Sequence, residues 1–76
     1  MSDVAIRSAR DVRPLVKGAG AIDVTRAVYV YTEGTMNFVT ADGTTVTGYP
    51  ALSGVHPIQI VELLSGGTAD DIYGYY

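Results

Sequence analysis

The stretch that most constrains this chain is Met36 to Tyr49, MNFVTADGTTVTGY. Asp42-Gly43 stands between two runs that alternate apolar residues with threonine. Asp-Gly in that setting is the strongest short-range signal for a β-hairpin. Parity then sets the turn. A two-residue loop pairs Phe38 with Thr47 and Val39 with Val46. A three-residue loop, Ala41-Asp42-Gly43, pairs Phe38 with Val46 and Thr40 with Thr44. The second register gathers Met36, Phe38 and Val46 on one face and leaves Val39, Thr45 and Thr47 on the other, and a slip of one residue would exchange the faces. The expectation is the three-residue loop, with Asp42 and Gly43 as the structural turn and Gly43 in the left-handed conformation as a bulge.

Around this hairpin the chain divides in two. Residues 1–20 are polar, small and irregular, with Val12, Leu15 and Val16 as the clustered apolar residues and Pro14 against any long helix. They read as an extended N-terminal arm, with one short helical turn before Pro14 and a Gly18-Ala19-Gly20 hinge. Residues 21–76 read as the body. Ala21–Thr25 and Ala27–Thr32 are β-rich, one bent strand or two. Val28 and Val30 alternate with Tyr29 and Tyr31, so either pair could face the core. Glu33-Gly34 reads as a turn and Pro50–Val55 as a loop. Ile58–Leu64 is the most apolar run and reads as a central strand. A Gly-Gly loop then leads to a last strand, Ala69–Tyr76, with Ile72 inward. Five to six short strands at this spacing predict an all-β fold, a small antiparallel β-sandwich or barrel.

Composition narrows what such a fold can do. A chain of 76 residues makes one small domain, and it has no cysteine for a disulfide or a thiolate metal site. Only 17% of its residues are charged, below the usual quarter or so, which suits a surface partly covered by partners. All five basic residues lie in the first 26 positions against Asp3, Asp11 and Asp23, a net of +2. From Ala27 onward Glu33, Asp42, Glu62, Asp70 and Asp71 meet no base, a net of −5. A basic arm on an acidic body makes Arg7, Arg10, Arg13 and Lys17 candidates for anchoring to an acidic neighbour, set against a solvated terminus. Without interleaved aromatics they do not make a nucleic-acid footprint. No apolar run reaches the length of a membrane span, and no signal peptide is visible. The expectation is a chain made in the cytoplasm.

Catalytic chemistry finds little to work with. His56, the single histidine, has no carboxylate or nucleophile at a telling spacing and reads as structural. Asp70 and Asp71 are adjacent, so on a strand they diverge. The expectation is no enzyme, no metal and no cofactor. The six tyrosines are the excess. Tyrosine serves interfaces because it joins apolar area to a polar tip, and it also serves cross-strand packing. Tyr29, Tyr31, Tyr73 and Tyr75 are the candidate subunit contacts.

From Arg26 onward the order of segments resembles a known family. Arg26-Ala27-Val28-Tyr29-Val30, Thr32-x-Gly34, Thr40-Ala41-Asp42-Gly43-Thr44-Thr45-Val46-Thr47, Pro57-Ile58, Gly67-Thr68-Ala69, Ile72 and the terminal tyrosine are similar to the spike base proteins of gene transfer agents and related tailed-phage virion proteins. The resemblance spans about two-thirds of the chain. It implies a virion structural protein, made in the host cytoplasm, that forms an oligomeric base at capsid vertices and anchors a head spike or fibre. The implied partners are further copies of itself (a pentamer, with a trimer as the alternative), the major capsid protein, and a spike or fibre protein. Two stretches depart from the family. Gln59-Ile60-Val61-Glu62-Leu63 stands where relatives carry Lys or Arg, and the chain ends Tyr73-Gly74-Tyr75-Tyr76. The alternatives are a head decoration protein, a tail-fibre adaptor, or a soluble β-sandwich that binds a ligand.

Overall fold

A computed structural model describes residues 10–76. Seven strands follow one another: β1 (Val12–Pro14), β2 (Ala27–Thr32), β3 (Gly34–Thr40), β4 (Thr45–Ala51), β5 (Gly54–His56), β6 (Ile60–Leu64) and β7 (Asp70–Tyr75). They form two antiparallel sheets, one ordered β1-β7-β2-β5 and the other β4-β3-β6. The all-β expectation holds, and there is no helix among the described residues.

The hairpin takes the three-residue loop. Phe38 pairs with Val46 and Val39 with Thr45. Thr40 N–H donates to the Thr44 carbonyl at 2.9 Å, Gly43 N–H donates to the Thr40 carbonyl at 2.8 Å, and Gly43 has φ +94°. Beyond Val46 a bulge shifts the register, so that Met36 meets Tyr49. Gly48 occupies the bulge at φ +69°, and its N–H donates to Asn37 Oδ1 at 2.8 Å. Met36 and Phe38 therefore both reach the core despite the extra residue opposite them.

Between the sheets lie Val28, Val30, Met36, Phe38, Ala51, Ile60, Leu63, Ala69 and Ile72, with Leu15, Ile22, Val46, Tyr49 and Ile58 packed around them. This resolves the β2 alternation: the valines face the core and the tyrosines face out. Among the described residues, one polar side chain sits fully inside. Thr25 Oγ1 accepts from Ile60 N–H at 3.0 Å and donates to the Ile58 carbonyl at 3.4 Å, so its burial leaves no group unpaired.

Several expectations need correction. Ile58–Leu64 is not a central strand: β6 is an edge of its sheet, and β3 is the centre. Its second apolar row misled because a bulge opposite Val39–Thr40 puts Ile60 and Leu63, of opposite parity, both inside. Pro50–Val55 is not one loop. β4 runs on to the buried Ala51, and after Leu52-Ser53 the chain returns as β5 against β2, with Gly54 at φ +123°. Glu33 is a one-residue corner that carries the chain from one sheet to the other. Ala21–Thr25 forms no strand of its own, and its ladder pairing is an isolated bridge, Ala21 to Glu62.

The segment before the body holds no helical turn among its described residues. The stretch expected to hold a helical turn is β1, which pairs Val12 with Tyr75, Arg13 with Gly74 and Pro14 with Tyr73. From Arg10 on, the arm lies on the sandwich. Leu15 N–H donates to the Ile72 carbonyl at 2.8 Å. The chain then turns at 16–20 and runs beside β6, where Gly18, Ile22 and Thr25 N–H groups donate to Leu63, Val61 and Ile60. The rest of the expected arm, 1–9, lies outside the described residues.

Two glycine substitutions separate conformational strain from crowding. A Cβ at Gly43 would meet nothing within 4 Å, so Gly43→Ala should cost about 1 kcal/mol through its positive φ alone. A Cβ at Gly67 would collide with the Thr35 carbonyl oxygen, and Gly67→Ala should cost more, up to about 3 kcal/mol. Urea midpoints at constant m-value would check the order.

Candidate functional site, an aromatic sheet face

Antiparallel pairing puts directly opposed residues on the same side of a sheet. In the β1-β7-β2-β5 sheet, Tyr29 stands opposite Tyr73, Pro14 is next to Tyr73, and Val12 is next to Tyr75. Val55 of β5 is opposite Tyr29. Tyr31 follows Tyr29 by two positions and shares its side. All four candidate tyrosines are thus gathered on one outer face, with Val12, Pro14 and Val55 among them. The Tyr29 and Tyr73 rings lie 6.4 Å apart at 49°, within the range of favourable aromatic pairs. Tyr31 is 66% exposed and Val12 is 52% exposed. Both readings of the tyrosines therefore apply: a packed central pair, and open apolar area around it.

Pairing also shows what the sequence reading missed. Val12 and Pro14 join the face only because β1 docks on β7. Val55 joins only because β5 exists. The alternation in Val12-Arg13-Pro14 was the available signal for the first, and no comparable signal marked the second.

The remaining tyrosines have other tasks. Tyr49 packs edge-on against Phe38 at 5.3 Å and against His56 at 5.5 Å. His56 Nε2 lies 2.7 Å from the Leu52 carbonyl, which can only accept, so that nitrogen carries the proton. In the neutral ring Nδ1 then accepts from the Tyr49 hydroxyl at 3.0 Å. His56 holds the β4–β5 turn closed. Tyr76 lies under Arg13, whose guanidinium carbon is 4.2 Å from the ring centroid. Burial lifts the Tyr76 phenol above its usual value, against the pull of Arg13.

The candidate anchoring cations divide differently from expectation. Arg7 lies outside the described residues. Arg10 is exposed, and its backbone N–H donates to the Tyr76 carbonyl. Arg13 and Lys17 are engaged within the chain. Arg13 Nε bonds Asp11 Oδ2 at 2.7 Å, and its Nη1 is 3.5 Å from Asp23. Lys17 Nζ donates to the Gly67 and Ala69 carbonyls at 3.0 and 2.9 Å and lies 3.5 Å from Asp70. Its ammonium is a staple for the β6–β7 loop. Asp71 turns away from Asp70 through a left-handed φ of 52°, and Thr32 Oγ1 donates to it at 3.2 Å.

Two open clefts lie near these groups. One, of about 410 Å³, runs between 14–17 and 70–73, and the other, of about 520 Å³, lies beside Arg13, Asp23 and Tyr76. Among the described residues, no three His, Asp or Glu side chains gather as a metal site. Comparison of the chain with protein-family models, curated proteins and solved structures finds no match.

Removing the staple should be felt. Lys17→Met keeps the stem and leaves two carbonyls without their charged donor, so the domain should lose about 1–3 kcal/mol in denaturant titrations. A second effect depends on pH. The hydrogen bond from Arg13 holds the Asp11 carboxyl below its usual value of 3.8. Its folded value is depressed, so its stabilising effect is present above the unfolded value and is lost as pH falls through the folded one. Asp11→Asn should therefore lower the melting temperature slightly near neutrality and not at all well below pH 3.8.

Proposed function

We propose that this chain is a non-enzymatic structural subunit of a tailed-phage or gene-transfer-agent-like particle, and that it works as a homo-oligomer. Neighbouring copies meet through the outer face of the β1-β7-β2-β5 sheet. The observation that carries this reading is the convergence of Tyr29, Tyr31, Tyr73 and Tyr75 on that one face. Tyrosine is a preferred interface residue, because large ring area is buried at a small cost in side-chain freedom. A domain this small, without disulfide or thiolate metal, gains proportionally more from association than a larger one would. The virion setting comes from the resemblance along 26–76. In that setting the base joins the major capsid protein to a spike or fibre.

Particle association and oligomerisation are tested together. Tyr31 and Tyr73 do not belong to the buried core, so Tyr31→Asp with Tyr73→Asp should leave the fold intact by circular dichroism. The same change should dissociate the oligomer in native mass spectrometry and remove the chain from purified particles. The parent should melt at a temperature that rises with protein concentration. A parent that is a well-folded monomer at micromolar concentration, with a concentration-independent melt, would sink the proposal.

A further inference from the structure

Strand β4 is an edge of the three-stranded sheet, and among the described residues nothing pairs with its outer side. The other edges are guarded in the usual ways. β1 and β5 have three residues each, and β1 carries Arg13 and Pro14. β6 carries Glu62 and is covered by the bonds from Gly18, Ile22 and Thr25. β4 reads TVTGYPA, seven residues without a charge. Its bulge at Gly48 and its Pro50 lie in the C-terminal half. Thr45-Val46-Thr47 is left unguarded.

The hairpin determines which groups on this edge are free. Thr40 and Thr44 are joined by a backbone hydrogen bond. Along an antiparallel ladder hydrogen-bonded and non-hydrogen-bonded pairs alternate. Val39–Thr45 is therefore non-hydrogen-bonded, and Phe38–Val46 is hydrogen-bonded. The N–H and C=O of Thr45 point away from β3, and those of Thr47 do the same by the two-residue period. Both threonines are exposed.

We propose that this edge pairs with the same edge of a second copy, antiparallel, about a two-fold axis at Val46. In that register Thr45 faces Thr47 of the partner subunit, and Thr47 faces Thr45 of the partner subunit. Each of these pairs exchanges two N–H···O bonds. Val46 meets its own equivalent as a close, non-hydrogen-bonded pair. No other register joins both threonines of one chain to both of the other. The segment is thus its own complement in hydrogen-bonding period, it carries no charge to repel its copy, and Thr–Thr neighbours are favourable across strands. The contact uses the edge of one sheet and leaves the aromatic face of the other free. It does not depend on the virion reading.

The absence of cysteine allows a direct test. Non-hydrogen-bonded neighbours have Cα atoms about 4.5 Å apart, within disulfide reach. Val46→Cys alone should give a disulfide-linked dimer on mild oxidation at micromolar concentration. Because Val46 packs against the core, exposed positions provide a second reading. Thr45→Cys mixed with Thr47→Cys should yield the mixed disulfide several-fold over either variant oxidised alone. Monomers in both sets would overturn the proposal, as would equal cross-linking in the mixture and in each single variant. If either result came with an oligomer that Tyr31→Asp and Tyr73→Asp dissociate, the edge pairing would fail and the aromatic interface would stand.

Discussion

Two stretches of backbone touch where Gly67 lies against Thr35 and Met36, and the rest of the sandwich depends on that contact. No side chain fits between them. Gly34, one residue earlier on β3, is as tightly placed against Thr68 and Ala69. This is the corner at which the chain passes from one sheet to the other, once through Glu33 and once through the β6–β7 loop. Thr35 N–H donates to Thr68 Oγ1 at 2.9 Å, and Ala69 N–H returns to the Thr35 carbonyl at 2.8 Å. Close approach lets these bonds form at a place where neither sheet ladder can supply them. Lys17 then takes the carbonyls that the loop turns outward. The N-terminal segment is therefore part of the corner, although it looks like an appendage in the sequence.

How much of this was legible depends on the range of the interaction. The hairpin was readable because Asp42-Gly43 and the parity of Phe38 and Val46 act within a dozen residues. The valine face of β2 was half readable: alternation separates Val28 and Val30 from Tyr29 and Tyr31 but does not say which side is inside. That is decided by β3 and β6, which lie in the other sheet. The rank of β6 could not be read, because apolarity on both sides of a strand has two causes. One is a central position, and the other is a bulge that turns Leu63 in beside Ile60. β5 was hidden by its brevity. The bonds of Lys17 within the fold could not be read because its partners are carbonyls some 50 positions away, and a carbonyl leaves no mark on the sequence.

The candidate face shows the same division. Tyr29 and Tyr31 share a side by alternation, and so do Tyr73 and Tyr75. Whether the two pairs share one side is a question of register between β2 and β7. The pairing of Tyr29 with Tyr73 answers it. Tyr49 has the same composition around it and the opposite fate, because the bulge at Gly48 places it opposite the buried Met36. Its hydroxyl then finds His56, which satisfies the polar tip inside the fold.

Pro14 decides how far such a sandwich can grow. Leu15 donates to β7 and Arg13 faces Gly74, so the nitrogen of Pro14 points to the free side of β1. A strand arriving there would find no donor at the Pro14 end of the edge. With β6 covered and β5 only three residues long, the described residues leave a single extended opening for another strand. A building block with one such opening has a valence of one. Through strand pairing alone it can be capped, but not threaded into an endless row. A row built by strand addition needs two open ends on every unit, and at β1 the residue that denies the second is an edge proline.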